Sequence, residues 1–243
     1  MPSDTRTAFV TGGVQGLGAA AARALAEAGV TVAVTHLGGG ETAEAFGKET
    51  GMPVFEWDVS DFEACRQGIA DVEEAIGPVD ILVNNAGVNR DGMFHKMDRE
   101  DWEAVLRVDL GSMFNVTRHV ICGMRERGFG RIVNISSVNA ARGQPGQTNY
   151  CAAKAGVEGF TRALARECAG KGITVNAIAP GYADTAMVEA VPEEIMKDIL
   201  DDVPLSRLAA PQEIGRCVRF LASDDAGFIT GATLPVNGGL RMG

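Results

Sequence analysis

Short apolar runs rich in Val and Ile recur near residues 7–11, 30–35, 53–57, 79–84, 129–135, 173–178 and 232–236. Each has the length and near-continuous hydrophobicity of a strand buried on both faces, and the segments between them read as helices. Helix punctuation falls where that reading needs it: stops at Gly29 and Gly77–Pro78, Ser60 with Glu63 as a capping box, and Pro211 in a first turn. Regular strand–helix alternation implies right-handed crossovers and a parallel sheet. The expected fold is therefore α/β, one doubly wound domain over residues 1–243 with a seven-stranded parallel sheet. No linker, internal repeat or low-complexity segment interrupts it.

Composition agrees with this picture and narrows the function classes. A hydrophobic fraction of 46% with only 6% aromatics suits a sheet of small aliphatic residues covered by helices. The net charge of −10 argues against a nucleic-acid surface. The five cysteines (65, 122, 151, 168, 217) are scattered without a CxxC pair, as in a protein with reduced thiols. Cys151 reads as packing and not as a nucleophile. The three histidines (36, 95, 119) lack ligand spacing, so no metal site is expected. MPSDTRTAF has no signal-peptide character and no apolar run nears 18 residues, so a soluble cytoplasmic protein is expected.

Candidate chemistry begins at NYCAAK, where Tyr150 and Lys154 stand four apart in a helical segment. At that spacing they share a face, and the amine can lower the phenol's pKa from about 10. Alone, such a pair is more often a surface contact. Ser137, just after an apolar strand in VNISSVN, adds a hydroxyl to hold a substrate oxygen. Near the N-terminus, TAFVTGGVQGLG places Gly12, Gly13, Gly16 and Gly18 between a strand and an alanine-rich helix. Glycines at such a turn let the backbone approach a pyrophosphate, and the helix end offers free N–H groups. The G-x-x-x-G-x-G spacing differs from the commoner dinucleotide fingerprint, and tight helix packing is its bland alternative.

Taken together, TGGVQGLG, NNAG at Asn84 to Gly87, Ser137, Tyr150, Lys154, the Pro180–Gly181 pair and NGG at Asn237 to Gly239 resemble the short-chain dehydrogenase/reductase family, over essentially the whole chain. The resemblance implies a Rossmann fold and hydride transfer between a nicotinamide cofactor and a carbonyl. Within the family, VNRDGMFHKM, MFNVTRHVICGM and RGQPGQTNY look like the acetoacetyl-CoA reductases, with the 3-oxoacyl-acyl-carrier-protein reductases close. That likeness implies reduction of acetoacetyl-CoA to 3-hydroxybutyryl-CoA, the (R) form, as in polyhydroxybutyrate synthesis. A non-catalytic cofactor-binding scaffold is the alternative of another class.

The resemblance also assigns residues. Ser137 binds the carbonyl oxygen, Tyr150 donates the proton, and Lys154 holds the nicotinamide ribose. The cofactor is placed against Gly12, Gly16, Leu17, Gly18, His36, Asp58, Val59, Asn85, Ala86, Gly87, Tyr150, Lys154, Pro180, Gly181 and Thr185. Asp58 reads equally well as a turn carboxylate, and Thr185 as a helix cap. Gln147 and Tyr182 are expected to face the acyl group, beneath a lid of two short helices over residues 182–208. Asp109 stands where the family usually has an Asn that supports a water relay behind the lysine. An ionised carboxylate accepts hydrogen bonds but cannot donate them, so either the relay is altered or Asp109 is protonated. Cofactor choice turns on the end of the second strand, where an acid would select NAD and a nearby arginine NADP. Here His36 takes the place of the acid, Gln15 stands where a basic residue often marks NADP users, and no Lys or Arg lies between Arg23 and Lys48. Absence of the acid tilts the expectation to NADP(H), with NAD(H) the alternative. The apolar tail after Ile229 implies a homotetramer by the same resemblance.

Overall fold

The computed structural model describes residues 5–185 and 193–242. Its centre is a single parallel sheet of seven strands, β1 (Thr7–Val10), β2 (Thr31–His36), β3 (Val54–Glu56), β4 (Ile81–Asn84), β5 (Gly130–Ile135), β6 (Ile173–Pro180) and β7 (Thr233–Val236). Their order is β3-β2-β1-β4-β5-β6-β7, every pair parallel. All seven coincide, within a few residues, with the apolar runs of the sequence. The order reverses at β1, which lies between β2 and β4, and a crevice opens there at the carboxyl ends of the strands.

Two apolar layers enclose the sheet, because alternate side chains of each strand leave on opposite faces. On one side Ala8, Val10, Val34 and Val83 pack with Leu25 of α1 (Gly16–Glu27) and with Ile214 and Val218 of α9 (Pro211–Ala222). On the other, Phe9, Leu82 and Ile132 pack with Ile69 of α3 (Phe62–Ile76) and with Val116 and Val120 of α5 (Ser112–Arg127). The remaining α-helices among the described residues are α2 (Gly40–Thr50), α4 (Arg99–Val105), α6 (Asn139–Arg142), α7 (Thr148–Cys168) and α8 (Glu193–Asp202).

Helix punctuation departs from expectation at one point. The start of α3 is capped by Asp61, whose carboxylate accepts the Ala64 N–H at 2.8 Å, and not by Ser60. Ser60 lies one residue earlier, in a tight turn where its backbone N–H donates to Asp58 Oδ1 at 2.8 Å. Pro211 does open α9. Within 182–208, where a lid of two short helices is expected, the described residues contain one helix, α8; residues 186–192 fall outside the described part of the chain. Among the described residues no helix is long and apolar enough to cross a membrane.

Candidate active site

Every strand that carries a predicted site residue delivers it to the same edge of the sheet. Thr11 to Gly18 follow β1, His36 ends β2, and Asp58 and Val59 follow β3. Asn84 to Gly87 close β4, Ser137 follows β5, and Pro180–Gly181 close β6. The loops interlock across that edge. Asn85 Nδ2 donates to the carbonyls of Thr11 and Gly12, both at 3.0 Å, bridging the switch point between β1 and β4. Thr11 Oγ1 accepts the N–H groups of Asn85 at 2.9 Å and Ala86 at 3.0 Å. The Val138 N–H donates to Pro180 O at 2.8 Å, joining the Ser137 segment to the end of β6.

The glycine turn fits a dinucleotide. Gly12 and Gly16 have φ of 61° and 54°, a region other residues avoid. A Cβ on Gly18 would lie 2.2 Å from Gly12 O, so the turn packs flush on the helix only without side chains. Gln15, at the N-cap of α1, makes no side-chain cap, and the first turn holds no acid. The N-terminal N–H groups and the positive end of the dipole are thus left for an anionic ligand. Leu17 lies in that turn, and the Thr185 side chain approaches Gly16, where an added Cβ would meet its Cγ2 at 3.6 Å.

At the far end of this crevice, α7 presents a buried stripe of Asn149, Ala153, Lys154, Val157 and Thr161. Their three- and four-residue spacing is one helical face, so Lys154 points inward and is only 3% exposed. Tyr150, one turn earlier and half-buried, has its ring centroid 5.4 Å from the Lys154 ammonium. Asn149 anchors this start of the helix: its Nδ2 donates to Arg90 O at 2.8 Å and Asp101 O at 3.3 Å, and its Oδ1 accepts the Tyr150 N–H. Ser137 Oγ accepts the Asn139 N–H at 3.1 Å. That leaves the hydroxyl proton free for another acceptor.

Asp109 faces the interior. It lies fully buried in a widened π turn, Leu106–Gly111, inserted between α4 and α5. Its Oδ1 accepts the Val88 N–H at 2.8 Å, and its Oδ2 stands 3.2 Å from the Lys154 ammonium. Oδ2 has no aligned hydrogen bond, so the contact with Lys154 is chiefly an attraction of charges. The ammonium also donates to Ile135 O at 3.2 Å. Burial pushes the Lys154 pKa down, but the negative charges of an ionised Tyr150 and of Asp109 oppose it, and the net direction is above the ordinary lysine value. Gly87 is needed beside this pair, since a Cβ there would lie 2.9 Å from Asp109 Oδ2.

The other predicted residues are placed less decisively. The Asp58 carboxylate is engaged by Ser60, the turn role its sequence context allowed. His36 is half-buried with Nδ1 2.6 Å from Gly38 O, and Glu56 opposite it accepts the Gly38 N–H at 3.3 Å. Val59 is buried, its carbonyl taking the Asn115 side chain at 3.1 Å. Tyr182 is half-buried, with its carbonyl held by the Ala209 N–H. Gln147 is held by Asn139 and Asp91. Sequence reasoning missed Asn139, Asn149 and the supporting role of Thr11; all are short polar residues beside motif positions, and that adjacency was their only signal.

Residues 12–241 match the family model described as enoyl-(acyl carrier protein) reductase. The chain belongs to the short-chain dehydrogenase/reductase family. It is 58% identical over 236 residues to the acetoacetyl-CoA reductase of Rhizobium meliloti, covering 97% of this chain and 98% of that protein. It is similarly 56% identical to the acetoacetyl-CoA reductase of Shinella zoogloeoides over the same shares of the two chains. A 3-oxoacyl-[acyl-carrier-protein] reductase of Haemophilus influenzae is 43% identical, with 98% of both chains covered. The family implies a nicotinamide cofactor and oxidoreductase chemistry.

Proposed function

We propose that this protein reduces acetoacetyl-CoA to (R)-3-hydroxybutyryl-CoA, the step that supplies polyhydroxybutyrate synthesis, with NADPH as the preferred cofactor. The observation that carries the proposal is the buried Lys154, held between the Tyr150 ring and the Asp109 carboxylate on the edge where the glycine turn also lies. The full-length likeness to acetoacetyl-CoA reductases supports the choice of substrate.

The reduced nicotinamide supplies the hydride. Ser137 turns its free hydroxyl proton to the ketone oxygen, holding the carbonyl and stabilising charge as it develops. Tyr150 gives its phenolic proton to the same oxygen as the general acid. Lys154 keeps a positive charge against the ring that loses the proton, and its ammonium also serves the cofactor ribose. Asp109 balances that charge inside the protein, and its hold on Val88 N–H ties the pair to the NNAG loop. Gln147 and Tyr182 take the acyl thioester, under α8.

His36, in place of an acid at the end of β2, supports NADPH over NADH, because an acid at that position is what binds the ribose 2′-hydroxyl of NAD. We assign a homotetramer in the cytoplasm on family likeness. The likeness to the Haemophilus influenzae enzyme favours a second reading, reduction of carrier-protein thioesters. Turnover of acetoacetyl-CoA and acetoacetyl-carrier-protein, each with NADPH and NADH, tests both. Faster turnover of the CoA thioester with NADPH is expected; preference for the carrier protein would select the second reading.

A further inference from the structure

Three side chains form a hydrogen-bonded chain across the loops beside Ser137 and Tyr150. Asn139 Nδ2 donates to Gln147 Oε1 at 2.9 Å, and Gln147 Nε2 donates to Asp91 Oδ2 at 2.8 Å. A backbone bond from the Gly92 N–H to Gly146 O, 2.8 Å, runs alongside and ties the same two loops together. The polarity of the chain is fixed by chemistry. The Asp91 carboxylate can only accept, so it demands the amide nitrogen of Gln147, and the oxygen is then left for the Asn139 donor. Gln147 is thereby locked in one of its two flip states, with one N–H spent on Asp91 and the other unspent.

Asn139 also reaches the catalytic hydroxyl. Its backbone N–H is the donor to Ser137 Oγ at 3.1 Å, while its side chain, in a residue only 7% exposed, holds Gln147. One buried residue thus sets the orientation of two groups, each left with one free proton. A β-ketoacyl thioester presents two carbonyl oxygens, at the ketone and at the thioester, and both are acceptors. We propose that Asn139 is a positioning residue that presents Ser137 O–H and Gln147 N–H together to the two carbonyls of a β-keto thioester. Asn139 touches neither carbonyl itself; it selects for 1,3-dicarbonyl substrates by holding the Gln147 amide nitrogen outward. The inference rests on the ketoacyl thioester reading above and adds the residue that enforces it.

The test reverses the chain. In Asn139→Asp the new carboxylate cannot donate to Gln147 Oε1, so the Gln147 amide faces an acceptor at each end, can serve only one of them and loses its fixed flip state. Combining Asn139→Asp with Asp91→Asn restores both hydrogen bonds with opposite polarity, because the amide introduced at position 91 then donates to the turned Gln147 oxygen. Single and double variants, with Asn139→Ala as a neutral version should the charged one not fold, are assayed for KM and kcat on acetoacetyl-CoA, cofactor Kd and Tm. The Asn139 single variants are expected to raise KM about three- to tenfold, the worth of one hydrogen bond, with a smaller fall in kcat and an unchanged cofactor Kd, whereas Asp91→Asn alone keeps an acceptor for Gln147 Nε2 and should stay near wild type. The double variant should recover Tm while KM stays high. Recovery of KM together with Tm would make Asn139 a structural strut only, and an unchanged KM in the Asn139 single variants would likewise overturn the proposal. Wild-type protein that binds NADPH but leaves acetoacetyl-CoA unreduced would instead overturn the substrate reading, and this inference with it.

Discussion

Replacing Asp109 by an asparagine removes a charge from the site and almost nothing else, so its cost can be worked from the pair it breaks. The carboxylate and the Lys154 ammonium are 3.2 Å apart, with side chains 0% and 4% exposed. At an effective dielectric of about 20 their attraction is about 5 kcal/mol, before the cost of desolvating either ion. Removing one partner of such a pair typically destabilises by about 3–5 kcal/mol, because the other charge stays buried and uncompensated. The oxygen of the new amide would still accept the Val88 N–H, so the lower figure applies, and about 3 kcal/mol corresponds to a fall in Tm of roughly 6–12 °C for a chain of this size. The pH dependence changes sign as well. In the wild type the Lys154 pKa is raised above its ordinary 10.5, so its contribution is complete below that pH and is lost as pH rises through the folded value. In Asp109→Asn, burial is the influence that remains while Tyr150 is neutral, and it drives the lysine pKa down. The variant then pays for a charged buried lysine at neutral pH and regains stability as pH rises toward the ordinary lysine value. Thermal melts of both proteins from neutral pH up to that value read this directly. A Tm within about 2 °C of wild type, with the same slope against pH, would refute the claim that Asp109 is the counter-ion of Lys154.

Three further outcomes follow from the same geometry. Lys154→Met should weaken cofactor binding and lower kcat together, since one ammonium serves both the ribose and Tyr150; an unchanged cofactor Kd would remove the ribose role. Gly18→Ala, whose Cβ would meet Gly12 O at 2.2 Å, should raise the cofactor Kd at least about tenfold in a fluorescence titration, about the worth of 1.4 kcal/mol; unimpaired binding would show that the turn can yield. Thr11→Val strips the acceptor from the Asn85 and Ala86 N–H groups, and urea denaturation should register a loss of roughly 2–4 kcal/mol, with a loss under about 1 kcal/mol counting against the interlock between β1 and β4.

Much of this was legible in the sequence because the signals were local. Seven Val- and Ile-rich runs became seven strands, since a strand in the middle of a sheet covered on both faces is apolar at most positions, while the outer β3 and β7 are only partly buried. The i,i+4 spacing of Tyr150 and Lys154 placed the phenol and the ammonium on adjoining parts of one helix, and the fold keeps them there. What was not legible depends on packing across the fold. The π turn at Leu106–Gly111 follows no period that LRVDLG announces, and it is what carries Asp109 into the interior. Asp61, and not Ser60, caps α3, because a turn through Asp58 and Ser60 sets the first residue of the helix one position later than the sequence pattern suggests. Asn139 looked like one more polar residue after a strand; only the approach of Asp91 and Gln147 gives it a task.

The central claim is that Tyr150 is the acid of a ketone reduction built on Ser137 and Lys154, and Tyr150→Phe tests it most directly. The substitution keeps the ring beside the ammonium and removes only the proton donor. Initial rates of acetoacetyl-CoA reduction with NADPH, measured beside the NADPH Kd of the same preparation, should show kcat at least about 100-fold below wild type with the Kd little changed. A variant that binds NADPH normally and retains more than about a tenth of the wild-type kcat would contradict the account, because a proton would then be reaching the ketone oxygen from some other group.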